Sequence, residues 1–410
     1  MAFVQVDRLP LPRIFLFVMV KKTFHGLVSL KSKTLTKFFG ALWRKNTMKK
    51  VLLAGTAIVG AAFFAAPAQA ELKLGLGGHF SGYGVYVDED ETGNFDSFAF
   101  RRNTEIHFTG ETTLDNGLTV GVHVEQEIEN AQMNNESYAY FSGGWGRVNF
   151  GNEDGAAYLL QVAAPSADSN VDGLRSTIQG FTYDGGSAVT TNTSLDYAHA
   201  HFGNGPTDTT VSPTDRITYL TPKFNGFQAG VSYAPRAELA TGVVNLSQTN
   251  TFEDLWEVAA RWDGQFEGVG VSIGAGYSTS DNVAAAGAEP EGWNVGFNLA
   301  WNQFSFGAVY LDEEDRYGVQ GVDTKTWVVG AAWDNGPWHV GASYLNREDD
   351  ISGGTSEDSY KATIGGGYAF GPGMTFRGAI AFGEAANSAS GNASNEGDFT
   401  QVTIGTDIRF

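Results

Sequence analysis

The chain of 410 residues contains no cysteine, which excludes a disulfide framework and any thiolate metal site. From Glu71 onward it also lacks an apolar run long enough for a membrane helix, and no long stretch repeats its apolar residues every 3.6 positions. A helical bundle, soluble or membrane-spanning, is therefore not the expectation for that region. Basic residues are scarce there too. Residues 1–70 hold 11 of the 26 Lys and Arg but only Asp7 of the 46 Asp and Glu, leaving 15 basic against 45 acidic residues, a formal charge of −30. So acidic a surface argues against nucleic acid as a partner and favours cations.

The first motif present is "MKKVLLAGTAIVGAAFFAAPAQA" over residues 48–70. Lys49 and Lys50 form a basic start, Val51 to Ala66 an apolar stretch, and Ala68-Gln69-Ala70 an A-x-A cleavage site, which together predict a signal peptide removed after Ala70. A transmembrane anchor is the competing reading, but the apolar run is short for a bilayer and ends in the cleavage signature. Because a signal peptide opens a chain, residues 1–47 are expected to be an N-terminal extension from a start placed too early, with Met48 the true first residue. A long basic leader is the alternative. The functional domain is expected to span residues 71–410.

Within that domain period two prevails. "GLTVGVHVEQEIE" sets Val120, Val122, Val124 and Ile128 on one face and Thr119, His123, Glu125 and Glu127 on the other. "WHVGASYLNRE" does the same with Trp338, Val340, Ala342 and Tyr344 against His339, Ser343 and Arg347. Alternating segments of about ten residues fit a β-sandwich array or a transmembrane barrel. The connections separate the two, because they alternate between long and tight, the tight ones falling at Asp115, Ser142, Pro222, Asp263, Trp301, Asp334 and Gly371. Seven tight turns imply eight hairpins and sixteen antiparallel strands. The strand at Leu72–Tyr86 should then pair with the one at Thr400–Phe410, leaving no edge. Val402, Ile404, Ile408 and Phe410 share one parity of that last strand, which places Phe410 at a lipid interface. Trp145, Phe227, Trp262, Phe304, Trp333, Trp338 and Phe376 cluster near the tight turns, as an interfacial girdle requires. The expected fold is all-β, a 16-stranded antiparallel transmembrane barrel.

One segment breaks the rhythm. Between Gly151 and Asp215 lie about sixty residues without regular alternation, a length that marks a functional or disordered loop. Near its start stand Glu153, Asp154, Asp168 and Asp172, with Arg175 close by. Here the sequence resembles the sixteen-stranded general porins of Gram-negative outer membranes, nearest their alphaproteobacterial branch. The resemblance is carried by "FTGETTLDNGLTVGVHVE" (Phe108 to Glu125), by "AYFSGGWGRVNFGNEDGA" (Ala139 to Ala156) and by the terminal Phe410, and it spans Glu71 to Phe410. It implies a homotrimer that passes small hydrophilic solutes passively, and a third long loop folded into the lumen as an eyelet whose carboxylates face basic wall residues. It also implies that Phe410 is the signal read by the barrel-assembly machinery. By parity the wall arginines are Arg101, Arg216, Arg261 and Arg377, with Arg147 and Arg409 nearer the periplasmic rim. The chain departs from the family where an arginine is common on the second strand. It has Glu105 there, and Tyr138 at the matching place on the fourth strand, so a negative pore potential and cation selectivity are expected.

The same residues admit other chemistry. His79 and Ser81 in "HFS" could suggest an outer-membrane hydrolase, but their parity opposes Leu74, Leu76 and Phe80 and turns them to the lumen. His199 with His201, and His107 with His123 beside Glu105 and Glu125, are possible transition-metal ligands, though two imidazoles without a fixed third ligand are more often pore-lining residues. "DEDE" at Asp88, Glu89, Asp90 and Glu91 offers clustered oxygens for Ca2+ or Mg2+ near lipopolysaccharide phosphates, yet lacks the spacing of a calcium loop. A passive porin needs nothing further; a substrate-specific channel would need an aromatic or charged track, and a barrel enzyme a convergent triad.

Overall fold

The computed structural model describes residues 72–89, 97–128, 136–167, 214–236, 252–282, 288, 290–315, 320–351, 355–385 and 397–410. Residues 1–47 and 48–70, expected from sequence to be an N-terminal extension and a signal peptide, lie outside the described residues. So do Asp90, Glu91, Asp168, Asp172, Arg175, His199 and His201.

The described residues form sixteen strands. They are β1 (Lys73–Glu89), β2 (Phe98–Thr113), β3 (Thr119–Glu127), β4 (Glu136–Gly143), β5 (Gly146–Glu153), β6 (Thr214–Leu220), β7 (Phe227–Arg236) and β8 (Phe252–Phe266). The second half comprises β9 (Val269–Asn282), β10 (Glu291–Trp301), β11 (Phe304–Glu314), β12 (Asp323–Asn335), β13 (Trp338–Ile351), β14 (Thr355–Gly371), β15 (Met374–Ala385) and β16 (Gly397–Arg409). A short helix, α1 (Ala156–Leu159), follows β5. Each strand pairs antiparallel with its chain neighbours, and β1 pairs with β16 from His79–Arg409 to Glu89–Phe399, so the sheet closes into a barrel. The seven tight turns fall where the sequence puts them. Most of them place a glycine in the left-handed region, Gly268 at φ 86° and Gly373 at φ 84° among them, where a side chain would be strained.

Side-chain parity divides the two faces as expected. On β16, Gln401, Thr403 and Asp407 are buried on the inner side while Ile404, Ile408 and Phe410 are exposed on the outer one. Phe410 is 63 % exposed, yet its backbone is fixed by reciprocal hydrogen bonds to Gly78, N to O, each 3.1 Å. An apolar ring held on a paired backbone and directed outward is stable only where the outside is apolar too.

The aromatic girdle has a second member that the turns alone do not reveal. Phe227, Phe304 and Trp338 are followed six residues later by Tyr233, Tyr310 and Tyr344, and Trp262 and Trp333 are preceded by six residues by Trp256 and Trp327. An even spacing keeps all of them on the outer face, about 20 Å apart along a strand. The second row pairs across strands, with ring centroids 4.5 Å apart for Tyr233–Trp256, 5.2 Å for Trp293–Tyr310 and 5.2 Å for Trp327–Tyr344. Two aromatic rows bounding an apolar strip are what a bilayer-spanning barrel presents to lipid.

Candidate functional site: the lumen and its inner loop

The inner face is built by the loop that follows β5. Its first part, residues 155–167, turns into the barrel and lies along the wall. At the start of α1, the Ala156 N–H donates to Ser232 Oγ at 3.0 Å and the Ala157 N–H to Glu257 Oε2 at 2.9 Å. These are first-turn amides that have no partner within the helix, so the wall satisfies them. The other oxygen of Glu257 accepts from Arg216 Nη1 at 2.6 Å, and both side chains are 1 % exposed. One carboxylate thus joins β8, β6 and the loop. Farther on, Arg261 Nη1 donates to the Gln161 carbonyl at 3.3 Å and His339 Nε2 lies 2.9 Å from the Ser166 carbonyl oxygen.

The loop fits because the wall has glycine under it. A Cβ at Gly296 on β10, Gly330 on β12 or Gly341 on β13 would overlap the carbonyl oxygens of Val162, Pro165 and Ser166 respectively. Each of the three is an inward position, so their absent side chains leave a groove in which the loop main chain rests directly on the sheet. The loop's apolar residues then complete small clusters: Ala164 packs against Val309, Val328, Leu345 and Phe399, and Ala167 joins Tyr83, Val85 and Ala379. The sequence reading fixed on the loop carboxylates and missed this anchoring half. Its signal was the apolar run Ala156 to Pro165 combined with glycines at inward parity.

The residues singled out from sequence fall into three groups. Arg216 and Arg261 touch the inner loop or its anchor, as above; Arg261 also pairs with Asp263 at 2.9 Å. Arg101 and Arg377 lie on one row across the closing seam, where Arg101 opposes Tyr83, Tyr83 opposes Gly405, and Gly405 opposes Arg377. Arg377 Nε is 2.7 Å from Asp407 Oδ2, and the Tyr83 hydroxyl donates to the same carboxylate. The third group is acidic. Glu153 and Asp154 are only 3 % and 4 % exposed rather than set out into open water, and Glu153 accepts from Asn149 Nδ2, which belongs to a relay that Arg147 Nε enters at Asn149 Oδ1. Asp88 and Glu89 close the end of β1.

Glu105 and Tyr138 belong to a separate patch on β1–β4. Glu105 Oε1 is 3.0 Å from His107 Nε2, His107 Nδ1 is 3.2 Å from Glu125 Oε1, and His123 Nε2 is 2.7 Å from that same oxygen. Tyr138 lies over the far side, its ring centroid 5.4 Å from that of His123. His79 is buried beside Asn103 Oδ1 at 2.7 Å, and Ser81 is buried on the same inner row. The inward face also carries Glu313 on β11, Asp349 on β13 and Glu357 on β14, which sequence parity could have yielded but which no motif marked.

A closed sixteen-strand antiparallel barrel is shared with known proteins. The chain aligns with an anion-selective porin from Comamonas acidovorans at 18 % identity and a TM-score of 0.57, over 83 % of this chain and 100 % of that one. It aligns with OmpF of Salmonella typhi, solved in complex with daunomycin, at 17 % identity and a TM-score of 0.55, over 82 % and 98 %. A third is OmpT, an outer membrane protein of Vibrio cholerae described in a trimer form, at 12 % identity and a TM-score of 0.53, over 83 % and 99 %. These identities speak to fold alone. No curated protein matches the chain. The family model for Gram-negative porins, however, matches residues 54–390, and with that match covering most of its length the chain belongs to the Gram-negative porin family.

Proposed function

We propose that the barrel is a passive diffusion channel for small hydrophilic solutes and that it favours cations. Membership of the family makes the chain an outer-membrane channel; the solute class and the selectivity are the proposal. The observation that carries it is the chemistry of the inner row. Its polar side chains are mostly Ser, Thr, Asn, Glu and Arg, which suit a water-filled lumen. Among them the arginines at Arg216, Arg261 and Arg377 each stand against a carboxylate, Glu257, Asp263 and Asp407, so their charge is largely offset where they stand. Glu105, Glu127, Glu313 and Glu357 add negative charge to the wall, while Asp349 is offset by Arg347 at 2.8 Å, in a domain whose formal charge over residues 71–410 is −30.

Single-channel recording of the purified protein in planar bilayers tests this reading. Conductance should rise in proportion to bulk conductivity without saturating, and uncharged sugars below the exclusion size should pass. Saturation by one solute class would replace passive diffusion with a specific channel.

Three further parts of the proposal rest on the sequence. The exported protein starts at Glu71 after cleavage behind Ala70, which N-terminal sequencing of outer-membrane material checks. The working unit is a homotrimer, to be checked by its mass in detergent. Phe410 is the residue recognised by the assembly machinery, and its deletion should lower the yield of heat-modifiable protein in membranes.

A further inference from the structure

The patch on β1–β3 has a donor set that none of the pore functions requires. The turn at Asp115–Gly117 sets the register of β2 against β3, so that Glu105 opposes Glu127 and His107 opposes Glu125, and the next inward residue of β3 is His123. Two imidazoles and a carboxylate therefore meet on one inner surface. Their rings stand edge to face, 5.6 Å between centroids, and a single oxygen, Glu125 Oε1, lies 2.7 Å from His123 Nε2 and 3.2 Å from His107 Nδ1. All three donor atoms lie within 4.8 Å of one another. Two donors bound to one ion at about 2.1 Å, at right angles, are about 3 Å apart, so little rearrangement separates this spacing from chelation.

We propose that His107, His123 and Glu125 bind one divalent transition-metal ion of the Zn2+, Cu2+ or Ni2+ class on the pore wall. Nitrogen-rich donors select these ions over Ca2+ and Mg2+, which take oxygen. Glu105 supplies what such a site needs behind its ligand. Its Oε1 lies 3.0 Å from His107 Nε2, the ring nitrogen other than the one beside Glu125. Bound metal at Nδ1 fixes the tautomer with a proton on Nε2, and the adjacent carboxylate then orients the ring. His79 and Glu105 also converge on His107, but His79 Nε2 is already engaged with Asn103 Oδ1, which favours the triad on β2 and β3. The ligand side chains are 28 %, 17 % and 17 % exposed, so an ion arriving through the lumen can reach them and water can complete its shell.

The test uses intact protein extracted from outer membranes and stripped with a chelator. Titration with ZnCl2 in a calorimeter should give one ion per chain, and Cu2+ added in its place should give an electron paramagnetic resonance spectrum with superhyperfine coupling to two imidazole nitrogens. His107→Asn and His123→Asn should each weaken Zn2+ binding at least about tenfold, a loss typical of disturbed metal ligation, while His199→Asn with His201→Asn should leave it unchanged. Heat-modifiable migration confirms that each variant is folded, and should a histidine variant fail to fold, the wild-type Cu2+ spectrum decides. The absence of Zn2+ binding up to 1 mM (on the order of the weakest useful site), a Cu2+ spectrum without two nitrogens, or binding that follows His199 and His201 would each overturn the assignment.

Discussion

Two arcs of the inner wall use opposite means to the same end. From β7 to β13 the inward row is cut back to glycine at Gly296, Gly330 and Gly341, and the main chain of the inner loop occupies the space. From β1 to β4 the inward row is long and ionisable, and His107, His123, Glu105, Glu125 and Tyr138 meet one another instead. The first arc positions an obstacle in the pore, while the second places charge at its edge. The difference shows that side-chain size, read at inward parity, decides which stretch of barrel becomes a seat and which becomes a surface.

The seat should break most severely at the buried ion pair of Arg216 and Glu257. Glu257 binds Arg216 and the first turn of α1 at once, with both ionised side chains 1 % exposed. Glu257→Gln leaves the Arg216 guanidinium buried without its carboxylate and should destabilise the barrel by about 3–5 kcal/mol. The midpoint of guanidinium unfolding in detergent, followed by tryptophan fluorescence, measures it. Replacing the pair together, Arg216→Met with Glu257→Leu, should recover most of that loss, because no charge is then left behind. A double variant as unstable as the single one would mean that the loop contact, rather than the charge, carries the energy.

Glycine in the groove should matter less, but only under the loop. Gly330→Leu drives a side chain into the Pro165 carbonyl and should cost about 1–3 kcal/mol, as overpacking does. The comparison position is Gly77 on the inward row of β1, where the nearest atom to an added Cβ is the Phe410 carbonyl oxygen at 3.4 Å, an ordinary contact. Gly77→Ala should therefore be close to neutral in the same unfolding assay. Equal losses at both positions would show that glycine serves strand geometry generally and not the loop.

Much of this architecture was legible in the sequence, and the part that was not has a physical reason. Strand number, closure and the outward ring of Phe410 followed from parity and turn count, because alternation is a local signal that each residue carries by itself. The pairing of His107 with Glu125 was also within reach, since a tight turn centred on Asn116 fixes every opposite pair on β2 and β3. The loop seat was hidden because its signal is missing volume: a glycine reads as a turn or a bulge until the element above it is known. The partnership of Arg216 with Glu257 was hidden for another reason. Parity turns both inward, but they sit on strands separated by β7, and only the register across β7 brings them together.

The smallest expected effect concerns permeation, and it asks which arc sets the pore potential. Reversal potentials in a potassium chloride gradient, measured with chelator present so that no metal occupies the wall, should show a preference for potassium. Unit charges about 4 Å apart interact by about 1 kcal/mol even in water, enough to bias permeation severalfold in a confined lumen. Glu105→Gln with Glu127→Gln removes charge from β2 and β3, where Glu105 keeps 12 % of its side chain open to the lumen. Glu313→Gln with Glu357→Gln removes the same formal charge from β11 and β14, at positions only 2 % exposed. A mobile ion in the lumen samples the first pair more closely, so the first double variant should lower the potassium preference more. Raising the salt to 1 M should shrink both effects, because the Debye length falls to about 3 Å. A wild-type preference for chloride would refute the electrostatic reading outright. A larger change from the Glu313 and Glu357 variant would move the selective charge away from β2 and β3, and would make the buried carboxylates, not the open ones, the source of the field.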